Sequence, residues 1–221
     1  AGDSLLLSAF DGSHIYFFSA RINDNQTITD GIFYSGFAGK EKWVAVKNDG
    51  VQLPDVGNTP QLKEGFEKLD FTFPDINGKP ISINDKRFKN KVVIIQIMGS
   101  WCPNCMDETA FLTDYYKKNK QRGVEIISLA YELSADFKRS QITLRKFQQR
   151  FKVTYPMLIT GVSVSDSLKT EKTLRQLTAI KVFPTTIFIG KDGKVKHFHT
   201  GFYGPGSGEH YTEFKKYFYD S

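Results

Sequence analysis

The stretch KVVIIQIMGSWCPNCMDE, Lys91 to Glu108, decides how the rest of the chain is read. Its first half is a β-branched run, Val92 to Ile97, broken only by Gln96. Such a run suits a strand covered on both faces, as in a parallel or mixed sheet. Pro103 then opens a helix, because at the first helical position its missing N–H would have had no partner and its fixed φ is already helical. Met106, Thr109, Leu112, Thr113 and Tyr116 recur at helical spacing, which predicts a helix to about Gln121 closed by Gly123. Between strand and helix sit Cys102 and Cys105, the only cysteines among 221 residues.

Two cysteines cannot build a disulfide scaffold, and a chain of this length with 40% hydrophobic residues needs none. Their value therefore lies in reactivity. Cys102 falls where unpaired backbone N–H groups and the positive end of the helix dipole favour a thiolate. Cys105, within the first turn, can attack a mixed disulfide formed at Cys102 and release the product. The expectation is an exposed attacking thiol at Cys102 and a resolving thiol at Cys105. Two other readings stay open on the residues alone. The pair could be inert buried thiols, or half of a copper or zinc module, since the same spacing serves metals and copper(I) favours thiolates. Of His14, His197, His199 and His210, the pair His197 and His199 would share one face of a strand and could complete such a site. The plainer expectation for those two is the exposed face of an edge strand.

Lysine and arginine number 30 against 24 acidic residues, a net charge of +6 spread through stretches such as KRFKNK, KKNKQR and KFQQRFK. Without a recognition helix, RNA-binding signature or zinc finger, these read as solvated faces, and no nucleic-acid partner is expected. The apolar runs are far short of the roughly 20 residues that span a bilayer. No basic, apolar and small-residue leader opens the chain, so a secretion signal is expected to have been removed or never to have been present.

Working outward, residues 1–50 read as an antiparallel β segment of four short strands divided at Asp11-Gly12, Asn23-Asp24-Asn25 and Gly39, and ended at Asp49-Gly50. Its abrupt start at Leu5 suggests the end of a larger β domain. Residues 51–65, with Pro54, Gly57, Pro60 and Gly65, read as a linker, and 66–221 as the main domain. There Asn77-Gly78 marks a hairpin and VEIISLAY a second buried strand, while Ser134 to Phe151 reads as a helix and YPMLI as a third strand. A short helix fits Glu171 to Thr178. VFPTTIFIG and KVKHFH flank a turn at Lys191-Asp192-Gly193, and an amphipathic helix runs from Gly208 to Tyr219. The class is α/β, a mixed central sheet with helices on both faces.

WCPNC after a buried strand, GVEIISLAYE after the first helix, VFPTTIFIGKDGKVKHFHTG and an acidic residue three beyond the second cysteine together resemble the TlpA/ResA-like branch of the thioredoxin superfamily, bacterial envelope thiol-disulfide oxidoreductases. The β segment is similar to modules that precede such domains in Bacteroidetes-type proteins. The resemblance implies a thioredoxin fold with Ser134–Ile159 as an inserted α-β element. Its redox-active disulfide is Cys102/Cys105, with no other cofactor and no metal. It also implies periplasmic or cell-envelope location, client proteins with disulfides, and a membrane electron donor that keeps the protein a reductant. Glu108 matches the active-site glutamate, Pro184 the cis-proline, and Trp101 the tryptophan beside the pair. Trp101, Phe183, Pro184 and Thr185 would meet an extended client peptide. Two departures stand out. Thioredoxin's buried aspartate is replaced by Gln96, which cannot titrate, so proton handling falls on Glu108. Pro103-Asn104 separates the cysteines, so thioredoxin's potential does not transfer. A thiol peroxidase, the remaining enzyme reading, would want threonine or serine where Gly99 stands.

Overall fold

The computed structural model describes residues 3–10, 15–24, 26–35, 39–50 and 59–220. His14, the Asp11-Gly12 turn, Asn25 and the first eight residues of the expected linker lie outside them. The chain packs as two compact units, one drawn from Ala1–Asp55 with Tyr203–Asp220, the other from Val56–Phe202.

In the first unit, β1 (Ser4–Phe10), β2 (Ile15–Ile22), β3 (Thr27–Ser35) and β4 (Gly39–Val46) form an antiparallel meander in sequence order. One face is held by aromatic packing: Phe18 stacks on Phe33 at 4.6 Å and meets Trp43 edge-on at 6.2 Å. Trp43 explains the glycine across from it. A Cβ on Gly31 would lie 2.4 Å from the Trp43 carbonyl oxygen and 2.5 Å from its ring.

The second unit opens on a hairpin, β5 (Thr72–Pro74) and β6 (Pro80–Ser82), whose turn places Gly78 at φ 83°. A five-stranded mixed sheet follows. It contains β7 (Val92–Met98), β8 (Val124–Ala130), β9 (Met157–Ile159), β10 (Thr185–Ile189) and β11 (Val195–Thr200), in the order β11-β10-β7-β8-β9. β7, β8 and β9 are parallel, whereas β10 runs antiparallel to both of its neighbours. Helix α1 (Pro103–Asn119) joins β7 to β8, and α2 (Phe137–Phe151) joins β8 to β9.

Side-chain alternation divides the sheet into two chemically different faces. Val93, Ile95, Ile97, Ile127, Leu129, Ile187 and Ile189 point into one apolar core with Leu69, Phe71, Ile81, Phe88, Leu174, Leu177 and Ile180. Each such side chain contributes about 1.5–3 kcal/mol by leaving water. The residues between them, Gln96, Ser128 and Thr186, point to the α1 side. The core face is therefore covered by the hairpin and by the segment around α3 (Lys169–Thr173).

Several boundaries differ from the sequence reading for local reasons. α2 starts at Phe137 rather than Ser134, because the Asp136 carboxylate caps it by accepting from the Arg139 amide at 2.7 Å. α3 has five residues, where a helix from Glu171 to Thr178 is predicted. Beyond Thr173 the backbone turns to bond with another strand segment: Thr178 N–H donates to Gln61 O at 2.9 Å, and Lys63 N–H to Gln176 O at 2.8 Å. The last helix, α4 (Glu209–Asp220), buries Phe214 and Phe218. It lies in the first of the two units.

Candidate active site

β7 delivers the chain to the site, and four residues later Cys102 serves as N-cap of α1. Its backbone is extended (φ −94°, ψ 115°), and its Sγ accepts the Cys105 N–H at 3.3 Å. The turn is closed by Cys102 N–H to Gly99 O at 3.1 Å. The thiol itself donates to the Phe183 carbonyl oxygen at 3.7 Å. Both cysteines are free thiols.

One expectation needs correction. Cys102 is not an exposed thiol: only 4% of its surface is open, and Cys105 has none. Capping turns the sulfur inward toward the helix amides and Phe183, leaving a sliver for approach. The two thiols are also driven apart in acidity. The hydrogen bond from the Cys105 thiol is the largest effect on Cys102 and holds it below its ordinary range, against burial, which raises it. Burial, and then that same hydrogen bond, pushes the Cys105 thiol far up. One sulfur is thus poised to ionise and the other to keep its proton.

Glu108 lies one turn beyond Cys105, fully buried. Gln96 Nε2 on β7 donates to its Oε2 at 2.9 Å, and Thr186 Oγ1 on β10 to its Oε1 at 2.6 Å. Burial outweighs these two hydrogen bonds and raises the carboxyl to about 7. Its charge is felt by both thiols, raising each. Gln96 is itself held: its Oε1 accepts from Ser128 Oγ at 2.9 Å, and Thr109 Oγ1, which donates to Cys105 O at 2.7 Å, lies 3.1 Å from its Nε2. The residue that cannot titrate thus orients the one that can.

On the other side, the Trp101 indole N–H donates to Tyr131 O at 2.9 Å, and its ring lies 5.6 Å from that of Phe183. Tyr131 meets Phe183 edge-on at 5.9 Å. A Cβ on Gly99 would sit 2.1 Å from the indole nitrogen, so a threonine or serine there collides with Trp101.

Of the residues expected to face a client, Trp101 and Phe183 are half-buried, and the Phe183–Pro184 peptide is cis. Pro184 is buried. Thr185 is fully buried and donates its hydroxyl to Val182 O at 2.7 Å, so its side chain braces the turn instead of presenting to a client. His197 and His199 lie on the edge strand β11 opposite Phe188 and Thr186, partly buried and not on an exposed face, and burial lowers both imidazoles. Among the described residues, no three His, Cys, Asp or Glu side chains are grouped to hold a metal ion. No helix among them is long and apolar enough to cross a membrane.

Thr109, Ser128, Thr186 and Glu132 were not legible as site residues. Their local signal is weak: a hydroxyl in an apolar strand marks a polar contact without naming its partner. Glu132, closing the apolar run VEIISLAY, is the one that stands out on inspection.

Residues 66–198 match the AhpC/TSA family. The thiol-disulfide oxidoreductase ResA of Bacillus subtilis is 29% identical over 140 residues, 63% of this chain and 69% of its own length. ResA of Bacillus thuringiensis subsp. konkukian is 30% identical over 135 residues, 61% and 68% of the two chains. The crystal structure of the thioredoxin domain of a thiol-disulfide oxidoreductase from Bacteroides vulgatus aligns with a TM-score of 0.51 at 23% identity. The match covers 71% of this chain and 99% of that one, a likeness in fold.

Proposed function

The chain belongs to the AhpC/TSA family, among its ResA-like thiol-disulfide oxidoreductases, and on that premise we propose that it reduces disulfides in client proteins of the cell envelope through a Cys102/Cys105 couple. The supporting observation is the pairing of opposites at the helix start. One thiol has its acidity favoured by a neighbouring thiol and amide, and the other lies buried behind it with its proton held.

Cys102 as thiolate attacks one sulfur of the client disulfide. A Cys102–client bond forms, the client S–S bond breaks, and the departing thiolate takes up a proton. Ionisation also ends the Cys102 S–H bond to Phe183 O, freeing that carbonyl for a client backbone N–H. Cys105 must then lose its proton, and Glu108 is the acceptor poised near neutral pH. The Cys105 thiolate attacks the Cys102 sulfur and the client leaves with both sulfurs reduced. The protein retains the two-electron oxidation as a Cys102–Cys105 disulfide, which a membrane electron donor must reduce again. No further cofactor enters these steps.

Thiol peroxidase chemistry is the less supported enzyme reading, because the position wanting a hydroxyl is filled by a glycine that Trp101 requires. The test is equilibration with a glutathione buffer followed by a trapping experiment. A couple well below glutathione in potential, exchange abolished by Cys102→Ser, and a client-linked species accumulating in Cys105→Ser support the reading. A potential well above glutathione turns the direction round, and unimpaired exchange in Cys102→Ser removes the couple.

A further inference from the structure

Glu132 stands just past the end of β8, on the connection to α2, with only 6% of its surface exposed. Its carboxylate makes no use of the cysteines. Oε1 accepts the Ser100 backbone N–H at 2.8 Å, while Oε2 accepts the Ser100 hydroxyl at 2.6 Å and the Thr143 hydroxyl of α2 at 3.0 Å. Ser100 lies inside the Gly99–Cys102 turn, the only covalent link between β7 and the attacking thiol. The neighbouring Tyr131 grips the same turn, donating its N–H to Met98 O at 2.8 Å and accepting from the Trp101 indole. Two consecutive residues after β8 therefore hold every residue of the chain from Met98 to Trp101 except Gly99.

A buried carboxylate is an expensive way to anchor a loop unless its lone pairs are filled, and here two donors from Ser100 fill them with the Thr143 hydroxyl, whose one proton is shared with Ser140 O at 2.9 Å. We infer that Glu132 is a positioning residue for disulfide exchange: it fixes the Ser100 turn, and with it the Cys102 sulfur, at a height set by the packing of α2 through Thr143. The inference rests on the reading of Cys102 as the attacking thiol. A carboxylate is suited to this task because it accepts from the backbone and the side chain of one residue together, so both the translation and the rotation of the turn are set. Loosening that grip lengthens the contact between Cys102 Sγ and the Cys105 amide, one of the interactions that favour the thiolate. The titratable groups facing that sulfur are Cys105 and Glu108.

The test compares Glu132→Ala, Glu132→Gln and Thr143→Val in the full chain. The readouts are thiolate ultraviolet absorbance against pH in reduced protein, and kcat/KM for a small disulfide across the same range. Glu132→Ala is expected to ionise Cys102 at higher pH and to lower kcat/KM about tenfold at neutral pH, the deficit narrowing as pH rises past the thiol titration. Glu132→Gln should restore both within about threefold, since its oxygen still accepts the Ser100 N–H and its amide can donate to the Ser100 hydroxyl. Thr143→Val, which keeps shape and removes one donor, should shift the titration in the same direction by less. An unshifted titration in Glu132→Ala overturns the inference, as does an equal loss of kcat/KM at every pH. A Glu132→Gln protein as impaired as the alanine variant also overturns it, because charge rather than hydrogen bonding would then be at work. If Glu132→Ala does not fold, an unshifted titration in folded Thr143→Val decides against it. If the wild-type protein exchanges no disulfides yet its thiol titration still answers to Glu132, the reading of function falls and the positioning role stands.

Discussion

Replacing Glu108 by glutamine gives a test whose size follows from the geometry. The carboxyl is fully buried and raised from 4.5 to about 7. In the unfolded chain it ionises near its ordinary value, so between these two limits the folded state holds a proton that the unfolded state has lost. Stability therefore falls as pH rises through this window: the advantage is complete below about pH 4.5 and gone above about pH 7. At about 1.4 kcal/mol per pH unit, the full loss is on the order of 3 kcal/mol. Glutamine does not ionise and removes the slope. Its amide can reproduce the hydrogen bonds of the protonated carboxyl, oxygen toward Gln96 Nε2 and nitrogen toward Thr186 Oγ1, which then accepts. The two curves should thus meet at low pH and part as pH rises. The variant is expected to match wild type within about 1 kcal/mol at low pH and to be more stable by about 3 kcal/mol above about pH 8. Denaturant unfolding of both reduced proteins across this range measures the difference, in which all other titrating groups cancel. Two parallel curves would refute the buried, neutral-pH carboxyl and with it the proposed role of Glu108 as proton acceptor. Because the same substitution removes that acceptor, the Cys102 mixed disulfide should also resolve more slowly.

Glu125 should show the opposite slope. Burial pushes it up, but hydrogen bonds from Lys91 and Arg87, each at 2.8 Å, outweigh that and hold it below its ordinary range. Its contribution is present above the unfolded carboxyl value and lost as pH falls through the lower folded one. Since both cations are partly exposed and screened, Glu125→Gln should cost about 1–2 kcal/mol at neutral pH, a difference that closes in acid unfolding measurements. Gly99→Ser must displace the Trp101 indole and break its bond to Tyr131 O. A loss of about 2–4 kcal/mol with changed tryptophan fluorescence is expected, and no gain of peroxide consumption. Leu112→Ala empties a fully buried position of α1, and denaturant unfolding should show a loss of about 2–5 kcal/mol.

The placement of the two thiols at a helix start was readable because its parts are adjacent in the chain. An apolar β-branched run, a proline at the first helical turn and two thiols three residues apart specify a strand, a helix and a capped sulfur by local rules alone. Glu108 could be placed on the face of Cys105 for the same reason. The four-stranded meander followed equally from turn residues and alternation, whereas the end of α3 did not: hydrogen bonds to Gln61 and Lys63, more than 100 residues earlier, override its helical pattern.

What the amino-acid order determined by itself is the set of groups brought together: two thiols and a nearby carboxyl, each set by spacing along one strand and one helix. What only the tertiary structure decided is how that chemistry is controlled. The near-complete cover of Cys102, the clasp of Glu108 between Gln96 and Thr186, and the hold of Glu132 on Ser100 join α1 and the ends of β7, β8 and β10 across separations of 12 to 81 residues. Such pairings arise from sheet register and from burial, which raises the energy of any charge left without partners, and neither quantity is carried by a local run of residues.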